Sequence, residues 1–181
     1  SRGLIDYSLK TYLKGRKLFN ENKSFAYELA NLYESQGDYV KMVDEYINLL
    51  EADQTMLNRV QGKLQNIISK DSEQTVDDIL RTALLKKSQK NPHESLYSEL
   101  LLWLSIQQKD FEFALIQAKS LDRRFDENGI LIYNLAKLCV SNEDYSTAAE
   151  AYNYIINKGN NGPLYIESRI GILHAELLEL K

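Results

Sequence analysis

The sequence predicts an all-α fold in which antiparallel helix pairs stack as a solenoid. The first observation is a recurring turn. Gly37-Asp38-Tyr39, Lys109-Asp110-Phe111 and Glu143-Asp144-Tyr145 each separate two amphipathic helical patterns. Asp110 and Asp144 lie 34 residues apart, and Asp38 and Asp110 lie 72 apart, which is two such periods plus four residues. A period in the thirties marks units that bury their apolar faces only against their neighbours. The second observation is that apolar residues recur at helical spacing along the whole chain. The third is that no segment alternates apolar and polar residues between turn signals, so no sheet is expected.

The elements follow in order. Over 4–20, Ile5, Leu9, Tyr12, Leu13 and Phe19 form a helical stripe weakened by Gly15. Over 24–36 the inward face is Ala26, Leu29, Ala30 and Tyr33, with Gly37 as the stop and Asp38 as the next cap. Over 39–51 it is Met42, Val43, Tyr46, Leu49 and Leu50. Helices over 56–69 and 75–88 form another pair, lined by Leu57, Val60, Leu64, Ile67 and Ile68, then by Val76, Ile79, Leu80, Ala83 and Leu84. Thr75 with Asp78 reads as a capping-box variant. Asn91-Pro92-His93-Glu94 is the strongest helix start in the chain, with Asn91 as cap and Pro92 at the first helical position. That helix runs to about Gln107. Segments 111–123, 129–142 and 145–157 continue the alternation, Asn160-Asn161-Gly162-Pro163 is a turn, and 164–180 is a last helix. The expected total is about nine helices. The expected division is a helix of a truncated unit over 1–22, four helix pairs over 23–162, and a further or capping helix over 163–181.

Composition narrows the function. The chain has 181 residues, 44% hydrophobic and 27% charged, with two prolines and eight glycines. This suits a packed soluble surface rather than a disordered linker. No run approaches the roughly 20 apolar residues of a membrane span, so no membrane insertion is expected. A net charge of −4 opposes non-specific nucleic-acid binding. Residues 1–22 depart from this average: Arg2, Lys10, Lys14, Arg16 and Lys17 against Asp6 and Glu21 give +3. The cluster reads as a solvated helix face, with a docking patch for an acidic partner as the sharper alternative. Ser1-Arg2-Gly3 is no signal peptide. The start and the end inside a helical pattern are expected of an excised fragment, leaving cytoplasm and periplasm both open, since a targeting signal could lie upstream.

Nothing reads as catalytic. His93 and His174 are 81 residues apart, no His or Cys cluster has metal-ligand spacing, and Gly159-Asn160-Asn161-Gly162 lacks the lysine of a phosphate-binding loop. Cys139 falls at an inward helix position, where a thiol is inert packing. Twelve tyrosines fit helix packing better than base stacking, because basic residues are not interleaved with them. Asn22-Lys23-Ser24 matches a glycosylation acceptor by spacing alone. The expectation is a non-enzyme with no cofactor and no metal.

Aligned as 23–56, 57–94, 95–128 and 129–162, the chain resembles the tetratricopeptide repeat (TPR) family. The mid-helix leucine is Leu29, Leu101 and Leu135. The small residue beside it is Ala30 and Ala136, where Leu102 departs. The aromatic opening the second helix is Tyr39, Phe111 and Tyr145. The small residue at the helix crossing is Ala114 and Ala148, where Met42 departs. The aromatic one turn later is Tyr46 and Tyr152, where Ala118 departs. In 57–94 these landmarks are absent, so irregularity is expected around 70–90. The closing proline is missing throughout. The register is most similar to that of long, poorly characterised bacterial TPR proteins.

The resemblance implies a right-handed superhelix and a scaffold that binds a protein or peptide in a concave groove. It places at the groove Tyr27, Asn31 and Glu34 from the first matched repeat, with Ser24 and Ser35 beside them. It places Leu96, Glu99, Trp103 and Ile106 from the next, and Tyr133, Lys137 and Val140 from the last. A clamp for acidic chaperone tails is disfavoured, because Tyr27 stands at one of its basic offsets. Trp103 has two readings, groove anchor or inter-repeat core, and a one-residue register shift exchanges them. RNA binding would need a basic inner face, and these positions supply only Lys137 against Glu34 and Glu99. The alternative to a scaffold is a stacking segment without a dedicated ligand. Ile166, Ile170, Leu173, Leu177 and Leu180 form a broad apolar face that leaves open a homodimer through 164–180.

Overall fold

The structure, a computed structural model, describes residues 2–19, 23–72, 75–159 and 162–180. The described residues form ten α-helices and one short 3-10 turn, with no strand among them. The ten fall on the ten segments read as helical above, against the rounded total of about nine. The chain divides into two compact units, Ser1–Ala83 and Leu84–Lys181.

In the first unit, α1 (Arg2–Phe19) packs on α2 (Ala26–Gln36), and α2 pairs with α3 (Tyr39–Ala52). A 3-10 turn at Gln54–Met56 leads into α4 (Leu57–Ile68), and α5 (Thr75–Lys90) begins here. The inward stripe of α2 is as expected: Ala26, Leu29, Ala30 and Tyr33 are all buried. Met42 on α3 is fully buried as well. Phe19 is 66% exposed rather than inward. A two-pronged polar contact ties α1 to α3: the Arg16 guanidinium meets the Glu45 carboxylate at 2.7 and 2.8 Å. The same guanidinium donates to the Ser24 carbonyl at 2.9 Å.

In the second unit, α6 (Ser95–Gln107) pairs with α7 (Phe111–Phe125), α8 (Ile130–Ser141) with α9 (Tyr145–Asn157), and α10 (Tyr165–Glu179) packs on α9. Leu102, Leu115, Leu121, Ile132, Leu135 and Ile155 belong to one buried cluster drawn from α6 to α9. Ala114 and Ala148 are fully buried within it, as expected of residues at a close helix crossing.

The three repeated turns share one conformation. Gly37, Lys109 and Glu143 are left-handed, with φ of 73°, 56° and 65°. The following Asp38, Asp110 and Asp144 have φ/ψ of −85/72, −82/71 and −89/72. Each aspartate N–H closes onto the carbonyl five residues back, at Tyr33, Ser105 and Cys139, over 2.9–3.0 Å. Each left-handed residue donates to the carbonyl three back. This is the Schellman stop, which satisfies carbonyls at the helix end. Each aspartate carboxylate then accepts from the backbone N–H three residues on, at Lys41, Phe113 and Thr147. One dipeptide therefore ends one helix and caps the next.

Two expected starts are different in the structure. Asn91-Pro92 does not open α6: α5 continues to Lys90, residues 91–94 form a turn, and α6 begins at Ser95. Asn91 spends its amide on the Lys87 carbonyl at the end of α5, 3.3 Å away, and the Pro92 carbonyl accepts from Arg124 at 2.7 Å. The Thr75–Asp78 box is replaced by Asp71, whose carboxylate accepts from the Val76 N–H at 2.7 Å. Asn160 and Asn161, of the turn expected at 160–163, lie outside the described residues.

Candidate functional site

On α2 the expected surface positions are half-buried, and α4 is the reason. Arg59 stacks 4.1 Å above the Tyr27 ring, and Lys63 approaches Glu34 at 3.8 Å. Asn31 turns its amide onto the Tyr27 carbonyl, 2.8 Å away on its own helix. Glu34 also lines a polar cavity of about 430 Å³ with Tyr39, Asn66, Lys70, Asp71 and Thr75. Arg59 and Lys63 had no expected role, because α4 belongs to the stretch without family landmarks. The only signal that could have found them is their four-residue spacing on a helix whose opposite stripe, Val60, Leu64 and Ile67, is core.

In the second unit the expected residues separate. Leu96 is 4% exposed and belongs to the interior, so it offers no surface to a partner. Glu99, Trp103 and Ile106 on α6 are half-buried, as are Tyr133 and Val140 on α8, while Lys137 is exposed. Ile106, Tyr133 and Val140 all rest against the α6–α9 core. The Tyr133 ring meets Tyr152 edge-on, centroids 5.9 Å apart, and Lys137 lies 5.8 Å from the Tyr133 centroid. These side chains are held from below by packing and keep part of their apolar surface open. That combination suits rigid aromatic contact with a partner.

The second unit also holds a polar hub with no precedent in the repeat pattern. Asp122, at the end of α7, is buried. One oxygen accepts from the Gly129 N–H at 2.7 Å. The other accepts from the Lys158 ammonium at 2.6 Å and the Tyr154 hydroxyl at 3.0 Å. Burial opposes its charge, but the bonds from Lys158, Gly129 and Tyr154 outweigh it and hold the carboxyl below its ordinary value. The hub ties α7, the turn into α8, and the end of α9.

The described residues contain no group of three His, Cys, Asp or Glu arranged to hold a metal. Cys139 is fully buried, and burial pushes its thiol up to about 12, far from a reactive thiolate. His93 and His174 are both exposed. Among the described residues no helix is long and apolar enough to cross a membrane.

No protein-family model matches the chain, and no curated protein matches it in sequence. Among solved structures it is similar to the crystal structure of MamA protein, with 16% identity over 84% of this chain and 80% of that one, and a TM-score of 0.41. The chain's own helices make it an all-α protein of paired helices, and its function has to be argued from its own side chains.

Proposed function

We propose that this protein is a non-catalytic scaffold of TPR type, with four helix pairs over 23–162 flanked by α1 and α10, that binds a partner protein or peptide. The observation that carries the reading is the row on α6 and α8. Trp103, the chain's only tryptophan, stands beside Ile106 on α6, and Tyr133 and Val140 stand on α8. All four keep part of their apolar surface open, with Glu99 and Lys137 as the polar rim. Tryptophan and tyrosine at such positions concentrate binding energy, with truncation costing about 2 kcal/mol or more. On α2, Tyr27, Asn31 and Glu34, joined by Arg59 and Lys63, offer a second and more polar contact. A preformed helical surface loses little conformational freedom on association.

The test is affinity capture from source-cell extract with wild type, Trp103→Ala and Tyr133→Ala. Helical circular dichroism and melting are measured on each variant. Loss of one specific partner with folding intact supports the reading. Retention of every partner by both folded variants moves the binding surface elsewhere. Loss of folding in Trp103→Ala alone assigns Trp103 to the core and leaves Tyr133→Ala to decide.

A further inference from the structure

The helix α10 has two apolar faces on opposite sides. The inner one uses Ser168 and Ala175, both buried, with Gly171, Ile172 and Leu178 half-buried, and it packs on α9. The outer one is Ile166, Ile170, Leu173 and Leu177, with Leu180 immediately after the helix, and each of these is 57–85% exposed. Their spacings are four, three, four and three. That is the a/d seam of a coiled coil, two heptads long and five aliphatic residues deep, with no polar interruption. At about 1.5 Å per residue the seam is about 21 Å long. A free peptide of that length would be a marginal helix. Here α9 already holds it in shape.

We propose that this seam pairs antiparallel with α10 of a second copy of the chain, about a two-fold axis at Leu173. The flanking charges favour that occupant. In this register Ile166 lies opposite Leu180 of the second copy and Leu173 opposite itself, with Ile170 and Leu177 offset from each other by one residue. Arg169 and Glu176 flank the seam on the same side, seven residues apart, and Arg169 of each copy then faces Glu176 of the other. The two-fold axis makes this two ion pairs, and a symmetric interface requires such self-complementarity. Both side chains are exposed, and Arg169 makes a 3.2 Å bond to the Tyr165 hydroxyl that it can exchange at no cost in burial. A parallel pairing would instead face Arg169 with His174 of the second copy and would form neither of these ion pairs. Helix α1 is a poorer occupant. It exposes Leu4, Tyr7 and Leu18 at the same spacing, but Thr11 and Lys14 interrupt its seam. The proposal concerns a face apart from the α6–α8 row and stands without it.

The test is sedimentation equilibrium of the full chain from low to high micromolar concentration. Wild type is expected to dimerise. Ile170→Glu with Leu177→Glu is expected to be monomeric with unchanged circular dichroism, since both residues are exposed. Arg169→Glu alone and Glu176→Arg alone are each expected to weaken the dimer about tenfold, by placing like charges together twice. Combining the two substitutions in one chain restores pairing, and so does mixing the two single variants. A monomeric wild type overturns the proposal. A dimer indifferent to the charge swaps, or one that the combined variant fails to restore, overturns the antiparallel register. Mass that grows without limit as concentration rises means head-to-tail stacking through another face, which also overturns it.

Discussion

The stretch α6–α9 contains two helix pairs with superimposable turns, whereas the stretch α2–α5 contains one regular turn and one that follows no repeat. At Lys109-Asp110 and Glu143-Asp144 the helix stop and the next cap are made by adjacent residues. After α4 the stop falls at Ser69 and Lys70, and Asp71 caps α5 from five residues before Val76. The difference shows what the repeated motif encodes, which is the hinge inside a pair. What fastens one pair to the next is encoded separately, by polar residues that do not recur. In the second unit the fastener is Asp122, and in the first it is Arg16 with Glu45.

The largest effect is therefore expected at a fastener. Asp122→Ala leaves the Gly129 N–H and the Tyr154 hydroxyl without their acceptor and frees Lys158. It should destabilise by about 2–3 kcal/mol, below the full loss for a buried ion pair because Lys158 can turn to water. Chemical denaturation measures this, with Asp110→Ala as the comparison. Acid should reveal the same group. The folded state holds Asp122 below its ordinary value, so below about pH 4 the unfolded chain binds more protons and stability falls as pH falls. The contribution is present above the unfolded value of 3.8 and disappears as pH drops through the lower, folded one. Asp122→Asn should flatten that part of the acid limb. An unchanged acid limb would mean that the hub carries no differential charge.

A close approach comes next in size. A β-carbon added at Gly171 would stand 2.5–2.7 Å from the Tyr152 ring, which is buried and held from another side by Tyr133. The buried Tyr152 ring must shift against its neighbours to make room. Gly171→Ala gains helix propensity and still should cost about 1–3 kcal/mol by overpacking. Because α10 packs on α9 at this point, hydrogen exchange should show α10 loosening before the α6–α9 helices. A stabilised Gly171→Ala would show that α10 can slide on α9 and that the contact is soft.

The parts of the fold that were legible in the sequence are those set by local physics. Helix faces follow a 3.6-residue period, so the core stripes of α2, α4 and α5 could be read from single segments. The turns follow from Asp in a cap and a residue tolerating positive φ before it. What escaped was non-local. Glu45 looks like a surface residue on its helix and is buried only because Arg16, 29 positions away, comes to it. Asp122 looks like a solvated charge and becomes a hub only once Lys158 arrives. The start of α6 misled for the same reason: Asn91-Pro92 has the local chemistry of a helix opening, but Arg124, 32 residues on, holds the Pro92 carbonyl in a turn. At the candidate site, the resemblance to the repeat family put Trp103, Tyr133 and Val140 at a groove, and each of them is half-buried. Leu96 fits the same stripe and is buried, because one more turn toward the start of α6 leads into the core.

The smallest effects test whether the three turns are one device. Asp38→Ala, Asp110→Ala and Asp144→Ala should each cost about 1 kcal/mol, the usual loss of a helix cap. The left-handed residue before each cap gives the sharper comparison. Gly37 accepts φ of 73° without strain, whereas Lys109 and Glu143 hold side chains at 56° and 65°. A left-handed conformation costs a residue with a β-carbon about 1 kcal/mol or more relative to glycine, and glycine's larger unfolded-state entropy takes back part of it. Gly37→Ala should therefore destabilise by about 1 kcal/mol. Lys109→Gly and Glu143→Gly should each stabilise by a few tenths to about 1 kcal/mol, and additive gains would show that the two turns act independently. If the glycine substitutions destabilise instead, Lys109 and Glu143 make contacts worth more than their backbone strain. The second unit would then hold its turns by its side chains, and the first by the freedom of Gly37.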